Sequence, residues 1–229
     1  LANVAIVVAS ASDIAREAAD VVLLRRNLET VIVGIREGRT IFANIMKYLR
    51  VTLTSNFGNF YSVAMASLFI PFVPLLPIQI LLLNILSDFP MIAIATDTVD
   101  DDELEKPKNY QVHSVVLMAT LLGVVSSIFD FILFGALYRM SPETLQTGWF
   151  LLSVITEIIL IFSLRTRFLF FRAKRASGTV VLLSALAFAV AFALPFVPYM
   201  TGLFHFVMPS AGLLMFVGVL AVGYFFATE

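Results

Sequence analysis

Cysteine is absent from this chain of 229 residues, and it has only two histidines and one tryptophan. Without cysteine, the chain can form neither a disulfide, a thiolate metal site nor a thiol nucleophile. His113 and His205 are far apart in sequence, so a histidine metal site or a Ser-His-Asp triad has little to build on. The formal net charge is −1, and we therefore expect no nucleic-acid partner.

Charged residues are also few, at 14%, whereas 60% of the residues are hydrophobic. Soluble domains have about 25% charged and about 45–50% apolar residues, so this composition indicates a membrane protein. Six apolar segments are each near the roughly 20 residues that a helix needs to cross a bilayer. We place them at residues 48–70, 76–96, 112–138, 147–165, 179–197 and 207–227.

The first 47 residues are more polar. Residues 4–8 predict a short strand, and residues 12–24 have helical spacing with Asp13 as the cap. An amphipathic run over residues 27–47 leads into the first apolar segment without a break. We therefore predict an all-α polytopic membrane protein. Six transmembrane helices in residues 48–229 follow a small cytoplasmic α/β piece and a stalk helix in residues 1–47.

Lysine and arginine are distributed unequally between the predicted loops. Seven lie before or within the first span, two in the second loop and five in residues 165–175, and only Arg139 falls on the opposite side. Because cytoplasmic loops carry an excess of these residues, both termini are predicted to be cytoplasmic. We expect an integral protein of the plasma (inner) membrane.

The second apolar segment contains polar residues that suit a cation. Asn84 and Asp88 are four residues apart and share a helix face, with Ser87 beside them. Pro90 has no N–H to give to the carbonyl of Leu86, which frees a backbone oxygen one turn from Asp88. A carboxylate within a membrane segment predicts an ion site, and the alternative is a structural hydrogen bond.

The first apolar segment carries Asn56 and Asn59 on one face, with Gly58 between them to allow close approach of a neighbouring helix. These amides either join helices or help Asp88 to bind a cation. Glu157 in the fourth segment could complete such a site, or it could pair with a buried amide. Asp130 is expected to be solvated near the outer face or paired with Arg139.

The loop between the second and third segments is acidic over residues 97–105. A solvated loop is the simpler interpretation of such a charge run. Alternatively, the loop attracts cations to the inner mouth of the site or docks a soluble domain. Its spacing does not match an EF-hand, because the mid-loop glycine is missing.

Several stretches of the sequence resemble motifs of a known protein family. Residues 12–24 read SDIAREAADVVLL and residues 38–49 read GRTIFANIMKYL; further motifs are TSNFGN at 54–59, NILSD at 84–88, SSIFD at 126–130 and TGWF at 147–150. Together they resemble the P-type ATPases, most of all the magnesium-importing branch, over essentially the whole chain. The first two resemble the end of the phosphorylation domain and the stalk that leads into the fifth membrane helix. Residues 1–47 would then be a remnant of that domain with its stalk.

The resemblance implies that Asn56, Asn59, Asn84 and Asp88 occupy positions on the fifth and sixth membrane helices that help to coordinate the transported cation. That cation would be Mg²⁺, which keeps several waters and accepts a few oxygen ligands in near-octahedral geometry. No other cofactor is expected. Ser87 and Glu157 are additional candidates for the metal site.

Several family elements are missing from the chain. It contains no DKTGT motif with the phosphorylated Asp, no TGE loop, no nucleotide-binding domain and no GDGxNDxP motif, and membrane helices one to four are absent. We therefore expect that this chain alone has no catalytic residues and cannot hydrolyse ATP. It would be part of a translocating enzyme only when joined to the missing domains.

The sequence is compatible with two functions. In the first, the chain is the C-terminal membrane part of a magnesium-type P-type ATPase, with the N-terminal part of the pump and the lipid bilayer as partners. In the alternative, it is a truncated, non-catalytic subunit with a structural or regulatory role in a larger membrane complex. An independent channel or carrier is less well supported, because no inverted repeat is apparent.

Overall fold

The computed structural model describes residues 3–107, 109, 111–166, 168 and 172–229. Its elements in chain order are β1 (Ile6–Val8), α1 (Asp13–Glu17), β2 (Val21–Leu23), α2 (Leu28–Phe69), α3 (Pro77–Ala93), α4 (Asp101–Glu105), α5 (Val112–Leu137), α6 (Pro142–Leu164), α7 (Gly178–Ala193), α8 (Pro198–Phe204) and α9 (Ala211–Thr228). Single turns of 3₁₀ helix at Ile94–Thr96 and Leu194–Phe196 extend α3 and α7.

The N-terminal piece is a small βαβ unit. β1 and β2 pair in parallel, with Ile6 opposite Val21, and α1 connects them. The strand predicted in residues 4–8 is therefore confirmed at Ile6–Val8. The predicted helix over 12–24 is wrong beyond Glu17, because the β-branched residues that follow form β2. The cap of α1 is Ser12 rather than Asp13, since its side chain accepts a hydrogen bond from the Ala15 N–H.

The stalk and the first predicted membrane segment form one continuous helix, α2, as the unbroken amphipathic run predicted. Asn27 caps it, with its side-chain oxygen 2.9 Å from the Glu29 nitrogen. At about 1.5 Å per residue, its 42 residues extend roughly 60 Å. The predicted boundary at residue 47, between the cytoplasmic piece and the transmembrane domain, falls inside this helix and stays a prediction.

Among the described residues, five helical segments are long and apolar enough to cross a membrane: Pro77–Thr96, Val112–Leu137, Pro142–Leu164, Gly178–Phe196 and Ala211–Thr228. They correspond to the last five predicted spans, and an all-α polytopic membrane fold is confirmed. The first predicted span, residues 48–70, lies in the less apolar second half of α2. This segment is not among the five, because its hydroxyl and amide residues reduce its hydrophobicity. Its crossing of the membrane therefore stays a prediction.

Helix α6 is at the centre of the bundle and contacts α2, α3, α5, α7 and α9. Its residues 145–154 are all buried, including Trp149, Phe150 and Leu151. Side chains that project from α6 at this depth are therefore surrounded by protein rather than by lipid.

Helices α2 and α5 pack most closely at a pair of glycines. A Cβ atom added to Gly123 would lie 3.0 Å from the Phe57 Cβ and 3.1 Å from the Gly58 nitrogen. A Cβ atom added to Gly58 would lie 3.0 Å from the Ser126 Cβ. The two glycines thus allow the helix backbones to approach each other, as Gly58 led us to expect.

Candidate functional site

A buried carboxylate, Glu157, joins α6 to α2. Glu157 is 3% exposed, and its Oε1 accepts hydrogen bonds from Ser55 Oγ at 2.6 Å and from Asn59 Nδ2 at 2.8 Å. Ser55 and Asn59 are four residues apart, so both donors lie on one face of α2. Two of the predicted site residues, Asn59 and Glu157, are therefore in direct contact.

Helix α3 contributes Ser87 to the same cluster. The Ser87 hydroxyl lies beside the Glu157 carboxylate and donates within its own helix to the Leu83 carbonyl at 3.1 Å. Within the described part of the chain, Glu157 Oε2 has no hydrogen-bond partner. A buried carboxylate oxygen without a partner is costly, so this oxygen is suited to bind a proton, a water or a cation.

The remaining predicted residues lie beside a contact between α2 and α3, in which Thr52 Oγ1 is 3.7 Å from Met91 Sδ. We call the exposed positions beside this contact the open edge. Asn56 is one turn after Thr52 on α2, and Asp88 is three residues before Met91 on α3, so both continue along the same edge. Asn84 is one further turn along α3. All three predicted residues, Asn56, Asn84 and Asp88, are exposed.

The site is thus divided between a buried cluster and an exposed edge. Asp88 lies close enough to Glu157 for the two carboxylates to interact electrostatically. Within the described residues, the side chains of Asn56, Asn84 and Asp88 form no hydrogen bond. Their oxygens are therefore free to accept bonds from water or from a hydrated cation, the form in which Mg²⁺ is usually bound.

Pro90 lies inside α3, which continues through it to Ala93. Because proline has no N–H, the Leu86 carbonyl receives no hydrogen bond from residue 90. The backbone feature expected from the sequence is therefore present one turn from the exposed edge. The role of the Leu86 carbonyl as a cation ligand stays a prediction.

The expectation for Asp130 was wrong. Asp130 is 3% exposed, and its Oδ2 accepts a hydrogen bond from Ser62 Oγ of α2, with the Trp149 indole beside the carboxylate. Arg139 instead donates to the Tyr138 hydroxyl at 2.6 Å. The reason is the rotation of α5, which directs Asp130 towards α2 and α6 rather than towards the outer surface.

The interpretation of the acidic loop as a solvated loop was also wrong at its first residue, Asp97. Asp97 is buried, and its carboxylate receives Lys47 Nζ at 3.0 Å and Arg165 Nε at 2.9 Å. Burial acts to raise the pKa of Asp97, but the hydrogen bonds from Arg165 and Ser177 and the charge of Lys47 outweigh it. The pKa of Asp97 is therefore below its ordinary value.

At Lys47, by contrast, burial has a larger effect on the pKa than the ion pair has. Burial lowers the pKa of Lys47 below its ordinary value, and the attraction of Asp97 offsets this only in part. Two further acids of the loop also have partners: Asp100 accepts from the Thr166 hydroxyl at 2.7 Å, and Asp101 pairs with Lys174 at 2.8 Å. The loop is consequently attached to the ends of the membrane helices.

Sequence reasoning missed two groups of residues. Ser55 was not a candidate, although its spacing from Asn59 was a usable signal. The contacts of Asp97 with Lys47 and Arg165 were also missed. A weak signal existed here too, because all three residues lie at predicted span ends on the same side of the membrane.

Comparison with known proteins gives a consistent result. Residues 72–229 match the family described as "Cation transporting ATPase, C-terminus". The whole chain is 37% identical to "Magnesium-transporting ATPase, P-type 1" of Escherichia coli K12 and 36% identical to the protein of that name in Salmonella typhimurium LT2. Over 68% of its length, it is 33% identical to "Calcium-transporting ATPase" of Bacillus subtilis. The chain spans 26% of the length of each of the two magnesium-transporting relatives and 18% of the calcium-transporting one.

Proposed function

Because this chain belongs to the family of cation-transporting ATPase C-terminal regions, we propose that it is the C-terminal membrane part of a magnesium-transporting P-type pump. Other parts of that pump bind ATP and accept the phosphoryl group. The chain contributes helices that line the path of the ion and the stalk, α2, that connects this path to the catalytic domains. The partners are the rest of the pump and the lipid bilayer. The protein resides in the plasma membrane with both termini of this chain in the cytoplasm.

The transported ion is Mg²⁺, and the metal residues are Asn56, Asn59, Asn84 and Asp88, with Ser87 and Glu157 in support. Asp88 and the two exposed amides, Asn56 and Asn84, lie on one open edge. Mg²⁺ dehydrates reluctantly and is usually bound through one or two carboxylates and several retained waters. A single exposed carboxylate flanked by amides suits a partly hydrated ion better than a closed cage would.

The buried cluster holds this edge in place. Glu157 connects α2 and α6 through Ser55 and Asn59, while Ser87 of α3 lies beside it. The three helices converge on one carboxylate, and this convergence is the observation that carries the proposal. Glu157 also places a second acidic group near Asp88, which adds to the attraction for a divalent cation.

The comparisons do not favour the alternative of a repurposed structural or regulatory subunit. The similarity to magnesium pumps extends over 100% of the chain and includes the N-terminal βαβ piece and the stalk. We therefore propose no second function.

The test uses the intact pump polypeptide that contains this chain, reconstituted into liposomes with a fluorescent Mg²⁺ indicator inside. Addition of external ATP is expected to change the internal Mg²⁺ concentration. Asp88→Asn should reduce the rate about tenfold or more, which corresponds to at least about 1.4 kcal/mol of lost interaction. Asp102→Asn is the matched control: it removes an exposed acid outside the site and should leave transport unchanged.

The proposal fails if the wild-type protein moves no Mg²⁺, or if the two substitutions have the same effect. Transport of another divalent cation in preference to Mg²⁺ would retain the pump but contradict the assignment of its substrate.

A further inference from the structure

A buried group of three charged residues lies on the cytoplasmic side of the bundle. The Asp97 side chain is 1% exposed; its Oδ2 is 3.0 Å from Lys47 Nζ and 2.9 Å from Arg165 Nε, and its Oδ1 is 3.2 Å from Arg165 Nη2. We call these three residues the Asp97 triad. Buried ion pairs offset their desolvation only with good geometry and additional hydrogen bonds. The backbone N–H of Ser177 supplies one such bond at 2.9 Å from Oδ1.

The two cations of the triad are also anchored by backbone oxygens. Lys47 Nζ donates to the Thr98 carbonyl at 2.6 Å, and Arg165 Nη1 donates to the Lys174 carbonyl at 2.7 Å. These bonds connect α2 with the end of the α3 segment, the end of α6 and the segment that leads into α7. Four parts of the bundle are thus fixed to one another at a single level.

The Asp97 triad is separated from the proposed ion site by the same number of residues on α2 and along the α3 segment. On α2, Lys47 precedes Asn56 by nine residues, and Asp97 follows Asp88 of α3 by nine residues. At about 1.5 Å per helical residue, each charge lies about 13 Å to the cytoplasmic side of a proposed ligand. Because the two helices run in opposite directions, Lys47 and Asp97 lie together at one depth of the bundle, and Asn56 and Asp88 lie together at another.

The third helix has the same arrangement. Arg165 caps α6 and follows Glu157 by eight residues, or about 12 Å. Each member of the Asp97 triad therefore lies on, or directly after, a helix that carries a residue of the proposed site. No other helix of the described chain contributes to both groups.

We propose that the Asp97 triad is a positioning device that fixes the axial register of α2, α3 and α6, and through it the geometry of the ion site. This inference rests on the proposed function of that site. A shift of one helix by a single residue displaces its side chains by about 1.5 Å, whereas binding geometry must hold to about 0.5 Å. Because Lys47 lies where the stalk half of α2 meets its membrane half, the triad also receives any displacement of the stalk.

The first test measures Mg²⁺ transport by the intact pump in liposomes as a function of Mg²⁺ concentration. Asp97→Asn should raise the half-saturating concentration about tenfold, the change expected when coupling through a packed network is lost. The maximal rate per folded molecule should change by less than about twofold, since no group that contacts the ion is altered. Asp101→Asn is the matched control, because it makes the same substitution in the same loop at an exposed acid.

A milder pair of variants guards against failure of Asp97→Asn to fold. Lys47→Met retains the ion pair between Asp97 and Arg165 and should raise the half-saturating concentration in the same direction. Lys47→Arg restores a cation at this position and should return the value towards that of the wild type. A role in folding alone would reduce the amount of protein without changing the half-saturating concentration.

The second test does not depend on transport. This chain has no cysteine of its own, and any cysteine elsewhere in the pump is first replaced by serine. Thr52→Cys and Met91→Cys then introduce a thiol pair at the contact between α2 and α3, where the native side chains are 3.7 Å apart. Each single-cysteine variant serves as a background control. A short thiol-reactive cross-linker should join the pair in the otherwise native pump, and Asp97→Asn should reduce the cross-linking rate.

The outcomes separate this inference from the proposed function. If the wild-type pump moves no Mg²⁺, the proposed function fails, and cross-linking alone decides whether the triad fixes the register. If Asp88→Asn abolishes transport but Asp97→Asn leaves the half-saturating concentration unchanged, the positioning role is overturned, whatever the cross-linking shows. An unchanged cross-linking rate overturns it as well.

Discussion

Ser62 of α2 and Asp130 of α5 form a direct side-chain hydrogen bond, with 2.5 Å between Ser62 Oγ and Asp130 Oδ2. Both residues are almost fully buried, at 0% and 3% exposed. Water therefore cannot replace this bond easily, and a buried acceptor that loses its partner bears the full cost of desolvation. The contact joins two helices that also approach closely at Gly58 and Gly123.

We expect Ser62→Ala to lower the free energy of unfolding by about 1–3 kcal/mol, because it leaves Asp130 Oδ2 without its donor. Ser67→Ala is a control on the same helix: Ser67 is exposed, and its hydroxyl donates to the nearby Ala64 carbonyl. That change should be within about 0.5 kcal/mol. Denaturant unfolding of the purified protein in micelles measures both, and equal losses would contradict the assigned role of Ser62.

The second prediction concerns the close contact of α2 and α5. Gly123→Ala should destabilise the protein, because the new Cβ would lie 3.1 Å from the backbone nitrogen of Gly58, which cannot move without shifting α2. Gly135→Ala on the same helix has nothing within 4 Å of the new Cβ. It should be neutral or stabilise by up to about 1 kcal/mol, as alanine is the better helix former. Thermal unfolding of the two variants should therefore differ in sign or clearly in size.

Much of this architecture could be predicted because its signals are local. The apolar length of each span, and the Ser141–Pro142 break before α6, are properties of short stretches of sequence. The meeting of Asn59 with Glu157 could also be anticipated, since polar side chains within a membrane bundle have few partners other than one another.

The rest depends on how the helices are rotated and which of them are neighbours. Asp130 is only nine residues from Arg139, and nothing in that spacing reveals that α5 turns the carboxylate towards Ser62. Asp97 lies within a run of acids that resembles a solvated loop. Its burial follows from the convergence of Lys47 and Arg165, which are 50 and 68 residues away in sequence.

The third prediction tests the charge at the centre of the buried cluster. In Glu157→Gln, the side-chain carbonyl can still accept from Ser55 and Asn59, so the helices should remain in place while the negative charge is lost. We expect unchanged or greater stability, because the desolvation cost of a buried charge is removed. Transport by this variant should need a higher Mg²⁺ concentration to reach half its maximal rate. In Glu157→Leu, the two donors lose their acceptor and stability should fall by about 1–3 kcal/mol. Loss of folding in both variants would contradict this separation of charge from hydrogen bonding.

The last prediction concerns the pH dependence of stability at Asp97. Its pKa is below the ordinary value of 3.8 in the folded protein, so the carboxylate contributes stability fully above pH 3.8 and loses it as the pH falls through the folded value. At neutral pH, Asp97→Asn should cost about 3–5 kcal/mol, since it leaves Lys47 and Arg165 buried without a counter-charge. The difference between the wild type and this variant should be constant from about pH 5 to pH 7 and shrink below pH 3.8. Asp101→Asn, at an exposed position, should show no measurable difference from the wild type at neutral pH. A gap for Asp97→Asn that persists unchanged at pH 3 would mean that the shape of the side chain, and not its charge, stabilises the protein.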